Sequence, residues 1–114
     1  MGAAKRDEIM KKTLADALAK QGYETLTPVQ IAVSDEKYDN ADLLVSAQTG
    51  SGKTVGFGLA IGTTILDDDG RLPRAAAPLA IIIAPTRELA MQVKRELTWL
   101  YGVAGATMAS CVGG

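Results

Sequence analysis

At 114 residues the chain has the length of one small domain, on a scale of ~100–200 residues per domain. Its 12 lysines and arginines nearly balance 13 aspartates and glutamates, so no overall basic field points to a polyanion, although a local site stays open. A single cysteine, Cys111, excludes a disulfide framework and a cysteine metal cluster, and the absence of histidine excludes imidazole catalysis and histidine metal ligands.

Residues 1–6 read as a loose leader and residues 7–114 as one domain. Residues 7–21 have helical periodicity, with Met10, Leu14, Ala17, Leu18 and Gln21 on one face, acidic residues in the first turn and Gly22 as the cap. Residues 23–26 are a loop. Thr27-Pro28-Val29-Gln30 starts a second helix that runs to about Asp35, with Thr at the N-cap, Pro at the first helical position and Gln at the third. A polar turn then leads into Leu43-Leu44-Val45-Ser46, a short apolar run of strand type.

The next segment, Ala47-Gln48-Thr49-Gly50-Ser51-Gly52-Lys53-Thr54, carries the strongest chemical signal. A glycine-rich turn between a strand and a helix exposes backbone N–H groups to phosphates, and the helix that follows points its positive end at the anion. Lys53 is placed to reach the β and γ phosphates, and the Thr54 hydroxyl to ligate Mg²⁺. Ala47 stands where the strictest pattern has Gly, and a small residue still fits there. The bland alternative is a glycine turn with no ligand, but a plain turn has no need of Lys53.

Residues 55–66 are read as the helix behind this loop, and Asp67-Asp68-Asp69-Gly70-Arg71-Leu72-Pro73-Arg74 as a surface loop, its three acids solvated. Leu79-Ala80-Ile81-Ile82-Ile83-Ala84 suits a parallel strand buried on both faces. Residues 86–101 form an amphipathic helix, with Leu89, Val93, Leu97 and Leu100 inward and Arg87, Glu88, Lys94 and Arg95 outward, closed by Gly102. Residues 106–112 read as a third strand, followed by Gly113-Gly114. Alternating strands and helices predict an α/β fold with a parallel sheet flanked by helices. Ligands bind such sheets beyond the carboxyl ends of the strands, so the loops after the three strands should open on one edge. No apolar run approaches the ~18 residues of a membrane span and there is no secretory leader, so no membrane is expected and the cytoplasm is the expected compartment.

Three signatures now stand in order: Gly22-Tyr23-Glu24-Thr25-Leu26-Thr27-Pro28-Val29-Gln30, then residues 47–54, then Pro85-Thr86-Arg87-Glu88-Leu89-Ala90. Together they resemble the Q motif, motif I and motif Ia of the DEAD-box RNA helicases, and Gly113-Gly114 resembles the glycine pair that follows. The resemblance implies a RecA-like P-loop NTPase fold, ATP and Mg²⁺ as cofactors, and RNA held through its backbone without regard to sequence. It implies Gln30 as the adenine reader, because an amide offers a donor and an acceptor to adenine N6 and N7. Thr27 and the backbone near Thr25 would assist, and Tyr23 would pack near the base. It also implies an RNA seat at Pro85, Thr86 and Arg87, with Gly113 and Gly114 allowing close backbone approach. The local alternatives remain open: Thr27 and Gln30 also fit a capping box, Arg87 a solvated helix face, and the glycine pair an ordinary turn.

The resemblance has gaps. No aromatic residue lies in residues 1–22, where the family usually has a Phe that stacks on adenine, and Leu26 takes the place of the usual Pro. The Asp-Glu-Ala-Asp motif that orients water, the Ser-Ala-Thr motif and the second RecA-like domain are not found in the 114 residues. The expectation is therefore the first half of an N-terminal RecA-like domain, incomplete on its C-terminal side. Such a segment would contribute ATP binding and part of the RNA track to an enzyme that couples RNA-stimulated ATP hydrolysis to duplex unwinding. The alternatives are a non-catalytic nucleotide- or RNA-binding fragment, or another P-loop NTPase such as a DNA translocase.

Overall fold

The computed structural model describes residues 12–47 and 52–113. The chain forms its helices where apolar spacing and capping chemistry call for them. The first, α1 (Lys12–Lys20), buries Leu14, Ala17 and Leu18. It ends in a Schellman arrangement, in which the Tyr23 N–H donates to the Leu18 carbonyl and the Gly22 N–H to the Ala19 carbonyl. The predicted face therefore holds at these three positions, while Gln21 is exposed and Met10 lies outside the described residues. Helix α2 (Pro28–Val33) follows Thr27 and is shorter than expected. A 3₁₀ turn, Glu36–Tyr38, succeeds it.

The helix behind the glycine loop is divided. Helix α3 spans Lys53–Ala60, and a short α4, Gly62–Ile65, continues past a break at Ile61. Next comes the acidic loop, which is turn chemistry, as its composition suggests. The Asp67 carboxylate accepts from the Asp69 and Arg71 N–H groups, both at 3.0 Å, and Thr13 donates to the Gly70 carbonyl.

Helix α5 (Arg87–Gly102) buries Val93, Leu97, Leu100 and Tyr101. Leu89, expected inward, is 38% exposed. Its end also differs from the expectation: Gly102 is still helical. The left-handed residue that turns the chain is Gly105 at φ +87°, with the Ala106 N–H reaching back to the Tyr101 carbonyl.

The core gathers where α1, α3 and α5 meet. Leu14, Ala17 and Leu18 pack there with Val55, Leu59, Leu66, Val93, Leu97, Leu100, Tyr101 and Ala104. Gly58 makes the α3–α5 approach possible: a Cβ on it would lie 2.7 Å from Leu100 Cδ2 and 2.9 Å from Leu97 Cδ2. Tyr101 seals the contact by donating its hydroxyl to the Gly58 carbonyl.

The sheet is where the structure departs from the expectation. Among the described residues there is no strand, and no backbone hydrogen bond joins residues 43–46, 79–84 and 106–112 to one another. The large apolar side chains of 43–46 and 79–84 are open to solvent, with Ile81 at 79% and Ile83 at 90% exposure and Leu44 fully exposed, whereas Ala106 and Met108 of the third run pack half-buried against the core. The physical reason is the source of the backbone partners. A helix satisfies its N–H and C=O groups internally, whereas a strand takes them from a neighbour. Among the described residues no helix is long and apolar enough to cross a membrane.

Tyr101 supplies a pH-dependent test of this core. Burial pushes its pKa well above the ordinary 10.0. Once unfolded, the phenol ionises near pH ~10, so above that pH the unfolded state binds fewer protons and stability falls as pH rises, by up to ~1.4 kcal/mol per unit. Tyr101→Phe should cost about 1 kcal/mol at neutral pH through loss of the hydrogen bond. Urea unfolding should show the gap from wild type closing above pH ~10, because the variant lacks this alkaline loss.

Candidate functional site

The site is built around one buried amide. Thr27 caps α2 in an extended conformation (φ −72°, ψ 161°), and its Oγ1 accepts from the Gln30 N–H at 3.4 Å. Gln30 Oε1 in turn accepts from the Thr27 N–H at 2.9 Å, which completes the capping box. Gln30 is 0% exposed, so its remaining donor requires a partner. It finds one in the glycine loop: Nε2 donates to the Gly52 carbonyl at 3.2 Å.

Gly52 is the N-cap of α3. Its carbonyl also accepts the first helical bond, from the Gly56 N–H at 2.9 Å. Two constraints require glycine at this position. Its φ is +82°, in the left-handed region, and a Cβ would sit 2.3 Å from Gln30 Nε2. Beyond Gly52, the first turn of α3 leaves N–H groups at Lys53, Thr54 and Val55 without an intrahelical acceptor. Lys53 Nζ donates to the Ala47 carbonyl at 2.7 Å, so the lysine reaches the first residue of the motif. Thr54 is half-buried on the same turn. This arrangement suits an anion, with oriented N–H groups, a helix dipole and an ammonium group together. A divalent cation on that anion is compatible with the neutral hydroxyl of Thr54, since Mg²⁺ keeps most of its shell as water and phosphate oxygen. Among the described residues no group of three acidic or cysteine side chains could hold a metal ion. Gln48, Thr49, Gly50 and Ser51 lie outside the described residues.

The predicted base-side residues divide. Thr27 and Gln30 are brought to the loop, while Thr25 is exposed. Tyr23 stacks on Trp99, with ring centroids 5.5 Å apart and planes at 27°, and Trp99 donates its indole N–H to Glu96 at 3.1 Å. Sequence reasoning did not single out Trp99. The available signal was its position as the lone tryptophan at the border of an amphipathic helix.

The second cluster lies at the start of α5. Thr86 caps the helix (φ −132°, ψ 156°), its Oγ1 accepting from the Leu89 N–H at 3.1 Å. Its hydroxyl hydrogen remains a donor for a ligand. Arg87 Nη2 donates to the Gly113 carbonyl at 2.7 Å, so two signatures separated by 26 residues meet here. Pro85 adjoins them in the chain, and Gly114 lies outside the described residues.

The family model for DEAD/DEAH box helicases matches residues 27–114, which hold all of these residues except Tyr23 and Thr25. The chain belongs to the DEAD/DEAH box helicase family. It is 43% identical over 73% of its length to DEAD-box ATP-dependent RNA helicase 53 of rice, Oryza sativa subsp. japonica, covering 14% of that protein. It is 41% identical over 74% of its length to the chloroplastic DEAD-box ATP-dependent RNA helicase 3B of Zea mays, covering 12% of it. It is 38% identical over 92% of its length to the pre-mRNA-splicing ATP-dependent RNA helicase prp28 of Aspergillus niger, covering 14% of it. The chain thus spans about one seventh of the length of such relatives. No solved structure matches it.

Gly52→Ala should be the most damaging glycine substitution at this site. It incurs the left-handed backbone cost of about 1–2 kcal/mol and also evicts Gln30. Gly22→Ala isolates the backbone cost, because Gly22 has φ +91° but nothing within 4 Å of a Cβ. Urea unfolding should show the larger loss for Gly52→Ala, and nucleotide titration should show weakened binding for that variant alone.

Proposed function

We propose that this chain is the ATP-binding part, and one stretch of the RNA track, of an ATP-dependent RNA helicase. The observation that carries the reading is the bond from Gln30 Nε2 to the Gly52 carbonyl, which joins a base-reading amide to the end of a phosphate loop. The side-chain amide matches the donor and acceptor edge of adenine. Because both ends are engaged with Thr27 and Gly52, reading adenine requires the amide to turn away from those partners.

In this reading Ala47, Gln48, Thr49, Gly50, Ser51 and Gly52 wrap the phosphates, and Lys53 leaves the Ala47 carbonyl to neutralise the terminal phosphate charge. Thr54 would hold Mg²⁺, which would supply charge neutralisation at the phosphates. Tyr23, Thr25 and Thr27 frame the base side. Tyr23 does so from its stack on Trp99, so its part is to fix the wall of the site. Pro85, Thr86, Arg87, Gly113 and Gly114 form the RNA seat, where a helix N-terminus and backbone groups suit phosphate without reading sequence.

Turnover requires an acidic group that orients water, and none of these residues offers one. We therefore propose binding without hydrolysis for the chain by itself, with duplex unwinding belonging to a longer protein that has a second RecA-like domain. The runs 43–46, 79–84 and 106–112 are then parallel strands of a RecA-like sheet that pair when neighbouring strands are supplied. Their apolar composition and the absence, among the described residues, of backbone hydrogen bonds between them support this. The exposed free thiol of Cys111 suits the reducing cytoplasm.

Titration with ATP and GTP tests the reading. The wild-type chain should prefer ATP, Lys53→Ala should lose both nucleotides, and Gln30→Ala should bring the ATP preference, on the order of tenfold for about 1.4 kcal/mol, close to unity. Equal affinity of the wild type for ATP and GTP would remove Gln30 as the adenine reader.

A further inference from the structure

Arg87, Lys94 and Thr98 are spaced seven and four residues apart, so they share one face of α5. Their partners run in the opposite order along the chain. Arg87 donates to the Gly113 carbonyl at 2.7 Å and Lys94 to Ser110 Oγ at 3.4 Å, while the Thr98 hydroxyl, which gives its hydrogen to the Lys94 carbonyl at 2.6 Å, lies 3.7 Å from the Met108 sulfur. The segment 108–113 therefore lies antiparallel along α5, held by a seam of side chains. The Lys94 and Thr98 contacts are long and exposed. The Arg87 contact is short, charge-assisted and at the end of the seam nearest the helix cap. At that end Gly113 is open on its outer side, with nothing within 4 Å of where a Cβ would be. The Gly113 backbone is thus held from one side and accessible from the other.

We propose that Arg87 is a positioning residue: its guanidinium holds the Gly113 carbonyl and so sets the Gly113 backbone beside the Thr86 cap of α5. RNA phosphate is then met by the Thr86 hydroxyl and by backbone N–H groups, and the Arg87 charge acts through Gly113. This rests on the RNA reading given above and assigns Arg87 a role distinct from direct phosphate contact.

The two roles differ in salt dependence. A side-chain cation on a single-strand phosphate contributes about 0.7 to the slope of log affinity against log salt, whereas a group that only shapes the backbone contributes nothing to it. Binding of a short oligouridylate to the chain, measured across a salt series, separates them. Arg87→Met should weaken binding about tenfold, the scale of one lost hydrogen bond to a charged group, with an unchanged slope. Arg87→Lys, which keeps a donor of similar reach, should recover most of the affinity. Without RNA, the NMR resonance of the Gly113 carbonyl carbon should move in Arg87→Met and stay near its wild-type position in Arg87→Lys. A slope reduced by about 0.7, an affinity unaltered in Arg87→Met, or an unmoved Gly113 resonance would each overturn the proposal. Should the wild-type chain bind no oligouridylate, the RNA reading fails, and the Gly113 resonance still reports whether Arg87 holds that carbonyl.

Discussion

The close approach of α3 to α5 at Gly58 is the constraint on which the rest of the molecule depends. With no side chain at Gly58, Leu97 and Leu100 come within contact of the α3 backbone, and Leu100 becomes completely buried. Tyr101 then reaches the Gly58 carbonyl from the same face of α5. Burial of these side chains supplies the main stabilising term in a fold where helices as short as α1 and α3 would be marginal alone. The contact also has a functional consequence. The two candidate sites are the N-termini of these two helices: Gly52 and Lys53 begin α3, and Thr86 and Arg87 begin α5. Packing at Gly58 thereby fixes both candidate sites on one core.

A second economy concerns Gln30. A fully buried amide would be destabilising with either end unpaired, at a cost of about 1–3 kcal/mol. Here one end closes the cap of α2 and the other holds the loop carbonyl that starts α3. The capping box and the base-reading role suggested by the family are therefore not rival explanations of this residue. The same amide geometry serves the first, and in the function proposed above it would serve the second once its partners are exchanged. Gly52 adapts to it, because its left-handed backbone both starts the helix and leaves room for the amide.

Much of the local structure was legible from sequence because it is local. The Leu14, Ala17 and Leu18 spacing placed the buried face of α1, and the Val93, Leu97 and Leu100 spacing that of α5. Thr27-Pro28-Val29-Gln30 announced its own cap, and Asp67 its own turn. The errors also have local causes. Gly102 carries the residue type of a helix stop, but α5 runs on until Gly105 turns the chain. Leu89 has the right period to be buried, yet it lies on the first turn, beyond the reach of the core. The apolar runs 79–84 and 43–46 have strand composition. A strand, however, is a relation between segments, and among the described residues these runs have no partner.

By itself, then, the sequence determined the buried faces of α1 and α5, the caps at Gly22 and Thr27 and the chemical types gathered at 22–30, 47–54 and 85–90, because periodicity and short-range hydrogen bonding act within a few residues. The family match over residues 27–114 contains the second and third of these stretches whole and the end of the first. Tertiary structure alone decided which of these residues meet. It turned Gln30 onto Gly52, stacked Tyr23 on Trp99, and brought Arg87 to Gly113 across 26 residues of chain. Such pairings depend on how helices pack around Gly58, and packing is set by side-chain volumes from distant parts of the chain. No window of sequence contains that information.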